Sequence, residues 1–155
     1  MIEITSKNRT NNAIIPTHYS TKEGVETIDI IAWVVEDYVG VISADIANVV
    51  KYCTRSGKKL SDNATSKGYY EKGIQDINKA QWYISHAIKT GGVVVNRTLL
   101  DNELNNKMIK AFINGRDEYT DILTELITWL YCGYFNKADE TLAKFIELLK
   151  INKPE

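Results

Sequence analysis

Several residue types that mark other protein classes are scarce in this chain. Its 155 residues include two cysteines, two prolines and two histidines, and the formal net charge is only -1 at pH 7. Two prolines with nine glycines leave little room for disorder. The sequence pI of about 6.2 is far from the basic footprint of nucleic-acid-binding domains, which disfavours nucleic acid as a partner.

Long apolar runs are also missing. No stretch approaches the roughly 18 to 20 consecutive apolar residues that a membrane-spanning helix needs. The first residues lack the basic, apolar and small-residue order of a secretory signal. We therefore expect a cytoplasmic protein that does not enter a membrane. In the reducing cytosol, Cys53 and Cys132 are expected to be free thiols.

Motifs for common chemistry are absent as well. The sequence has no glycine-rich loop that ends in Lys followed by Ser or Thr, and no dinucleotide-binding fingerprint. His18, His86 and the two cysteines include no closely spaced pair of metal ligands, and neither histidine lies in a recognisable serine or cysteine motif. We therefore expect no metal and no cofactor, and the sequence assigns no catalytic residue.

What the chain does have is helical periodicity within a single domain. Hydrophobic residues at 44% and charged residues at 25% are typical of one globular domain of this length. We predict an all-α fold, a compact helical domain with a C-terminal helical hairpin, and one optional short β-strand near the β-branched run 93–95. The predicted parts are an N-terminal arm (1–20), a core (21–92) and a helical extension (93–155). Apolar spacing predicts helices at 25–40, at 44–56 with Ser43 as N-cap, at 70–89, 99–114 and 118–134, and from the cap Asn136 onward.

Aromatic residues near the bend of the C-terminal hairpin predict self-association. Trp129, Tyr131, Tyr134 and Phe135 all lie close to this bend. A small helical bundle has little room to bury so much apolar surface, and a remaining patch marks an interaction site. We therefore expect a homo-oligomer.

A cationic stripe is the most informative local pattern. Lys51, Arg55, Lys58 and Lys59 recur at helical spacings, and Asn48 and Tyr52 lie beside them. Such a stripe can bind phosphate. The ordinary alternative is that cations at a helix C-terminus offset the helix dipole, and the residues alone favour this alternative.

Other polar and aromatic residues each have two interpretations. Asp76 and Lys79 are one turn apart, so they form a surface ion pair, or else Asp76 orients Lys79 or an arginine in a binding site. Trp82 and Tyr83 belong either to the core or to a platform on which a base stacks. The carboxylates Glu26 and Asp29 share a helix face, where solvation is the commonest role and ribose or proton binding the alternative.

Four ordered segments of the chain resemble a known family. The segments are 16–19, 24–31, 48–59 and 76–83, and the likeness as a whole covers roughly His18 to Ile88, a little under half of the chain. They resemble a family of small bacteriophage proteins, many without an assigned function, that includes a phage deoxynucleoside-monophosphate kinase lacking a phosphate loop. The chain departs from the family in an insertion over 60–73 and in its C-terminal region, so binding is better supported than turnover.

The resemblance implies a nucleotide-binding site. Lys51, Arg55 and Lys58 would neutralise phosphate, and His18 and Tyr19 on the arm would close over the base or sugar. The implied ligand-binding residues are His18, Tyr19, Glu26, Asp29, Asn48, Lys51, Tyr52, Arg55, Lys58, Asp76, Lys79, Trp82 and Tyr83.

Three functions are compatible with these observations. The first is capture of a signalling nucleotide, including cyclic nucleotides of host anti-phage immunity, by a phage protein in the infected cell; it needs affinity and no catalytic group. The second is phosphoryl transfer to a deoxynucleoside monophosphate without a phosphate loop. The third is inhibition of a host enzyme by protein binding through the C-terminal hairpin. We favour the first, and the sequence leaves open whether the protein is an enzyme.

Overall fold

A computed structural model describes residues 26–56, 66–91, 97 and 119–154. Several sequence-based predictions lie outside these residues. They are the N-terminal arm with His18 and Tyr19, the cation Lys58, the optional strand at 93–95 and the predicted helix at 99–114.

Five helices make up the described part of the chain, and the predicted all-α class is confirmed. The last two helices, Thr120–Cys132 and Phe135–Ile151, form the predicted C-terminal hairpin. No helix among these residues is both long enough and apolar enough to cross a lipid bilayer. The helices are α1 (Thr27–Val35), α2 (Val41–Arg55), α3 (Ser66–Thr90), α4 (Thr120–Cys132) and α5 (Phe135–Ile151).

Helix α1 begins with a capping box. The backbone N–H of Glu26, the N-cap residue, donates to Asp29 Oδ2 at 2.9 Å, and the Glu26 side chain accepts from the backbone of Asp29 in return. These reciprocal bonds satisfy amides that a helix N-terminus leaves without intrahelical partners. The two carboxylates therefore have a local structural role.

Two predicted N-caps were wrong. Helix α2 begins at Val41 with Gly40 as its N-cap, so Ser43 lies inside the first turn. Gly40 has φ +68, a conformation that glycine adopts at no steric cost, and the chain can therefore turn into α2 earlier than a serine cap would require. Helix α5 likewise begins at Phe135 after the N-cap Tyr134, which leaves Asn136 in its first turn.

The α4–α5 connection is short because Gly133 ends α4 in the left-handed conformation, with φ 86. Its N–H donates to Leu130 O at 3.3 Å, and the N–H of Tyr134 donates to Trp129 O at 2.9 Å. This pair of bonds is a Schellman motif, which satisfies the last carbonyls of a helix and reverses the chain. The next helix can then fold back against α4.

The helices pack around one core. Helix α2 packs most extensively on α3, α3 also packs on α5, α5 on α4, and α1 on α2. Helix α3 therefore contacts both α2 and the C-terminal hairpin, and α1 and α2 also touch α4 directly. The apolar residues that recur at helical spacing along α2, namely Ile46, Val49, Val50 and Cys53, are all fully buried. Other fully buried side chains are Ile30, Val34, Ile77, Ala80, Ile84, Leu126, Leu130, Ala138, Leu142 and Phe145.

Arg97 joins the C-terminal ends of α1 and α4. Its guanidinium donates to Tyr131 O at 3.0 Å, to Trp33 O at 3.5 Å and to Val34 O. The same group lies over the Tyr131 ring, with Cζ 3.9 Å from the ring centroid. Helix C-termini carry partial negative charge and unpaired carbonyls, so one arginine can stabilise both ends.

Candidate functional site

Helices α2 and α3 run antiparallel, and a row of polar and aromatic side chains lies along their contact. We call this row the α2/α3 seam. Along α3 its members are three or seven residues apart, and along α2 the first three members are seven and three residues apart, which places them on one face of each helix. From one end to the other, the seam pairs Asp45 with His86, Tyr52 with Tyr83, Arg55 with Asp76, and Ser56 with Gly73.

A buried ion pair lies toward the C-terminal end of α2. Arg55 Nη2 is 2.8 Å from Asp76 Oδ1, and the two side chains are 7% and 0% exposed. Lys72 Nζ approaches the same carboxylate at 3.8 Å. The structure therefore agrees with the interpretation in which Asp76 holds an arginine, and Arg55 does not lie on a solvated stripe.

Positive charge is concentrated around this pair. Burial lowers the pKa of Lys72, and the neighbouring Lys79 and Arg55 lower it further, while Asp76 acts in the opposite direction. Burial is the largest cause of this shift, so the pKa of Lys72 mainly reflects lost hydration of its charged form. The effects of Lys79 and Arg55 show that two further cations lie close to Lys72.

Three cations surround one tyrosine ring in the middle of the seam. Lys51 Nζ is 5.2 Å, Arg55 Cζ 4.7 Å and Lys79 Nζ 5.3 Å from the centroid of Tyr52. Lys51 is half-buried and Lys79 is exposed. Two helices are needed to form this group, because Lys79 comes from α3 and the other cations from α2. The ring face attracts each cation and keeps them close to one another.

Aromatic rings extend the seam toward its other end. The rings of Tyr52 and Tyr83 are stacked, with centroids 5.9 Å apart. Trp82 meets Tyr83 edge to face at 5.0 Å and lies parallel to the His86 ring at 5.3 Å. Because Trp82 is 62% exposed, it is not a core residue. Tyr83 is partly buried against the core, so the two aromatic residues have different surroundings.

His86 and Asp45 were not predicted as site residues. His86 Nδ1 lies 2.7 Å from Asp45 Oδ2, and their side chains are 41% and 6% exposed. Helical spacing puts His86 on the same face of α3 as Asp76, Lys79 and Tyr83. The sequence contained no signal that this face would meet Asp45, because the two residues are separated by 41 positions.

The remaining predicted residues are used locally or lie outside the described residues. The Asn48 amide donates to Ala44 O at 3.0 Å within α2. Glu26 and Asp29 close the first turn of α1. The structure thus brings six predicted residues together at the seam, namely Lys51, Tyr52, Arg55, Asp76, Lys79 and Tyr83, with Trp82 at its edge.

An open, mainly apolar cavity lies at a different place. Its volume is about 450 Å³, and it is bordered by Ile42, Ile88, Gly91 and the α4–α5 turn. None of the described predicted ligand residues lines this cavity. For a phosphorylated ligand we prefer the seam, because phosphate recognition depends on converging cations. Among the residues that the structure describes, Lys137 is the one cation that lines this cavity.

Comparison with known proteins gives one match. Residues 14–85 match a family model described as a protein of unknown function, DUF3310. This range is just under half of the chain, includes every predicted ligand-binding residue and ends immediately before His86. The match supports a resemblance to a family without an assigned function, and the description gives no activity. A search of the curated proteins and of the solved structures found no match.

Proposed function

We propose that this chain binds a phosphorylated nucleotide at the α2/α3 seam. The observation that carries the proposal is the convergence of Lys51, Arg55 and Lys79 on the Tyr52 ring, in a protein whose net charge is close to zero. Bringing cations together costs electrostatic free energy, which Asp76 offsets in part at Arg55 and which an added anion would offset further. A phosphate group is an anion that such a cluster recognises.

The cations have different roles in this proposal. Lys51 and Lys79 supply the contacts to phosphate, because they keep solvent-accessible surface. Arg55 is held by Asp76 in the interior and adds positive potential from behind. The exposed Trp82 next to the cluster is a surface on which a base can stack, and such stacking contributes about 1 to 3 kcal/mol per base.

The finer proposal is capture without turnover. Both described acids of the seam already have a partner, Asp45 at His86 and Asp76 at Arg55. Capture requires only affinity, and it is the role we propose for a phage protein that binds a signalling nucleotide of its host. Incubation with radiolabelled triphosphate and a panel of deoxynucleoside monophosphates distinguishes capture from phosphoryl transfer. Stable binding without a labelled product supports capture, and a labelled diphosphate would establish phosphoryl transfer.

Self-association is the second part of the proposal. Tyr134 at the hairpin bend is 52% exposed and Trp129 meets it edge to face at 5.8 Å, so apolar surface remains at this end of the protein. Native mass spectrometry of the purified protein should give the mass of two or more chains of 17.6 kDa each. The same spectrum would report a nucleotide that stays bound. A mass equal to a single chain at micromolar concentration would contradict the oligomer.

Calorimetry tests the binding site directly. The purified chain is titrated with nucleoside mono-, di-, tri- and cyclic phosphates, and heat is expected with at least one of them. The Lys51→Ala/Lys79→Ala variant should bind about tenfold or more weakly, because each charge-assisted hydrogen bond contributes about 1.5 kcal/mol or more. Added salt should weaken binding to the parent protein, since it screens exposed charges.

A matched control separates site charge from total charge. Lys144 and Lys150 lie on α5 and are 66% and 58% exposed. The Lys144→Ala/Lys150→Ala variant loses the same net charge as the site variant and should bind as the parent does. The proposal would be contradicted if both double variants weakened binding equally, or if no phosphate compound gave heat with the parent protein. Arg55 is left unchanged in this test because its removal would disturb folding.

A further inference from the structure

We infer that Trp82 and His86, with Asp45 behind the imidazole, form the base-recognition end of the proposed nucleotide site. The indole stacks on a nucleobase, and His86 Nε2 accepts a hydrogen bond from an N–H group on the edge of that base. The inference rests on the proposed function, because it assigns the part of the same ligand that the lysines do not contact. It adds Asp45 and His86 to the residues that the resemblance implies.

Asp45 sets the tautomer of His86. An ionised carboxylate can only accept hydrogen bonds, so the 2.7 Å contact requires the proton on Nδ1. In the neutral imidazole the other nitrogen, Nε2, then carries a lone pair and is an acceptor. Because Asp45 is buried and His86 is 41% exposed, the ring is held from the protein side and retains access to solvent. Asp45 is therefore a positioning residue.

The parallel arrangement of Trp82 and His86 supports a stacking role. Their ring planes differ by 6° and their centroids lie 5.3 Å apart, yet Trp82 remains 62% exposed. Burial of a large apolar side chain is favourable, and Trp82, with most of its surface exposed, gives up much of this free energy. A ligand base that covers the indole would recover this free energy.

The spacing along α3 suits a nucleotide. Lys79 is one turn from Trp82 and two turns from His86, which is roughly 10 Å at 1.5 Å per residue. This separation is comparable to the distance between the phosphate and the base edge of a nucleoside monophosphate. A phosphate held by Lys51 and Lys79 therefore brings the base to Trp82 and its edge to His86.

The decisive test changes the ligand first and the protein second. Adenosine monophosphate is compared with purine riboside monophosphate, which lacks the exocyclic amine, and uridine monophosphate with its N3-methyl derivative. Ribose 5-phosphate reports binding without a base. For the nucleotide that binds, we expect a loss of about fivefold to tenfold when the N–H group is removed, as for one neutral hydrogen bond. Ribose 5-phosphate should bind at least tenfold more weakly.

Protein variants then assign the loss to His86. The His86→Phe variant replaces the imidazole with a phenyl ring, which is still aromatic but has no Nε2 acceptor. The affinity ratio between the nucleotide and its analogue should therefore fall to about one. Trp82→Ala should weaken both compounds equally and leave the ratio unchanged. Because His86→Phe leaves Asp45 without its N–H donor, the same ratio is also measured in Asp45→Ala/His86→Phe. A nitrogen-15 NMR spectrum of the parent should show His86 as the Nδ1–H tautomer and a shift of Nε2 on binding.

The outcomes distinguish this inference from the proposed function. Suppose that binding depends on Lys51 and Lys79 but is equally tight for ribose 5-phosphate, or for the analogue without the N–H group. This result would overturn the inference and leave the proposed function intact. A ratio that His86→Phe leaves unchanged would do the same. If no phosphorylated compound binds at all, the inference fails together with the proposed function.

Discussion

Arg55 Nη2 lies 2.8 Å from Asp76 Oδ1, and both side chains are buried between α2 and α3. The pair joins the end of α2 to the first half of α3 across 21 positions of sequence. A guanidinium or carboxylate left alone in this environment carries a large desolvation penalty. The pair therefore makes the α2/α3 contact specific, and it supports the proposed binding surface from behind.

Removal of one partner should destabilise the fold strongly. We expect Asp76→Ala to lower the free energy of unfolding by about 3 to 5 kcal/mol, because the buried Arg55 charge loses its partner. The double variant Arg55→Met/Asp76→Leu should lose less than Asp76→Ala. As a control, Glu140→Ala removes half of the exposed Lys137–Glu140 pair and should cost less than about 1 kcal/mol. Urea unfolding followed by circular dichroism measures all three, and equal effects of Asp76→Ala and Glu140→Ala would contradict the prediction.

Arg97 should be essential for holding α1 against α4. Arg97→Ala removes its bonds to the carbonyls of Tyr131, Trp33 and Val34, and we expect a loss of about 2 to 4 kcal/mol on the scale of charge-assisted hydrogen bonds. Arg97→Lys keeps the charge but not the planar fork, so it should recover only a minor part. Chemical denaturation of both variants measures this. Full recovery by lysine would show that charge alone accounts for the effect.

The Cys53 thiol should make the protein less stable at alkaline pH. Burial raises the pKa of Cys53 above its ordinary value of 9.0, and Asp76 raises it further. Above about pH 9 the unfolded chain releases this proton while the folded chain keeps it. Stability from this group is therefore fully present below that pH and falls by up to about 1.4 kcal/mol per pH unit above it.

The difference between the parent and Cys53→Ala isolates this effect. Tyr38 also has a pKa raised by burial, but its contribution is the same in both proteins and cancels in the comparison. We expect the free energy of unfolding to fall more steeply between about pH 9 and 10 in the parent than in Cys53→Ala. Parallel pH profiles would contradict the prediction.

Gly133 should be important for the hairpin. Its φ of 86 is in the left-handed region, where a side chain with a Cβ atom is strained by about 1 to 2 kcal/mol. We expect Gly133→Ala to lower the thermal midpoint accordingly. Gly133→Asn should cost less, because asparagine tolerates this conformation better than alanine. An alanine variant as stable as the parent would contradict this account of the turn.

Helical periodicity predicted most of the described fold. The buried side of α2 and the C-terminal hairpin followed from apolar residues recurring at helical intervals and from the glycine near 133. Such patterns reflect the 3.6-residue period of the backbone, which does not depend on the neighbouring helix. Helix starts were predicted less well. A side-chain cap contributes only about 1 kcal/mol. The capping residues Ser43 and Asn136 therefore did not determine where helices α2 and α5 begin.

The candidate site was predicted in part. The sequence grouped Lys51, Tyr52 and Arg55 on one helix and Asp76, Lys79 and Tyr83 on another. It left open whether Asp76 is a surface residue, because ion pairs within a helix and between helices have the same local pattern. The pair of Asp45 and His86 was missed for a related reason. In a sequence, a single acid and a single histidine on separate helices are usually interpreted as surface residues.

The sequence by itself determined the helical class, the apolar face of α2 and the position of the cations, because these depend on spacing along one chain. Only the tertiary structure decided that Arg55 is buried against Asp76, that Lys79 joins Lys51 at the Tyr52 ring, and that Asp45 orients His86. Periodicity shows which residues share a face of a helix. Which faces meet, and in which register, depends on how all the apolar stripes are buried together.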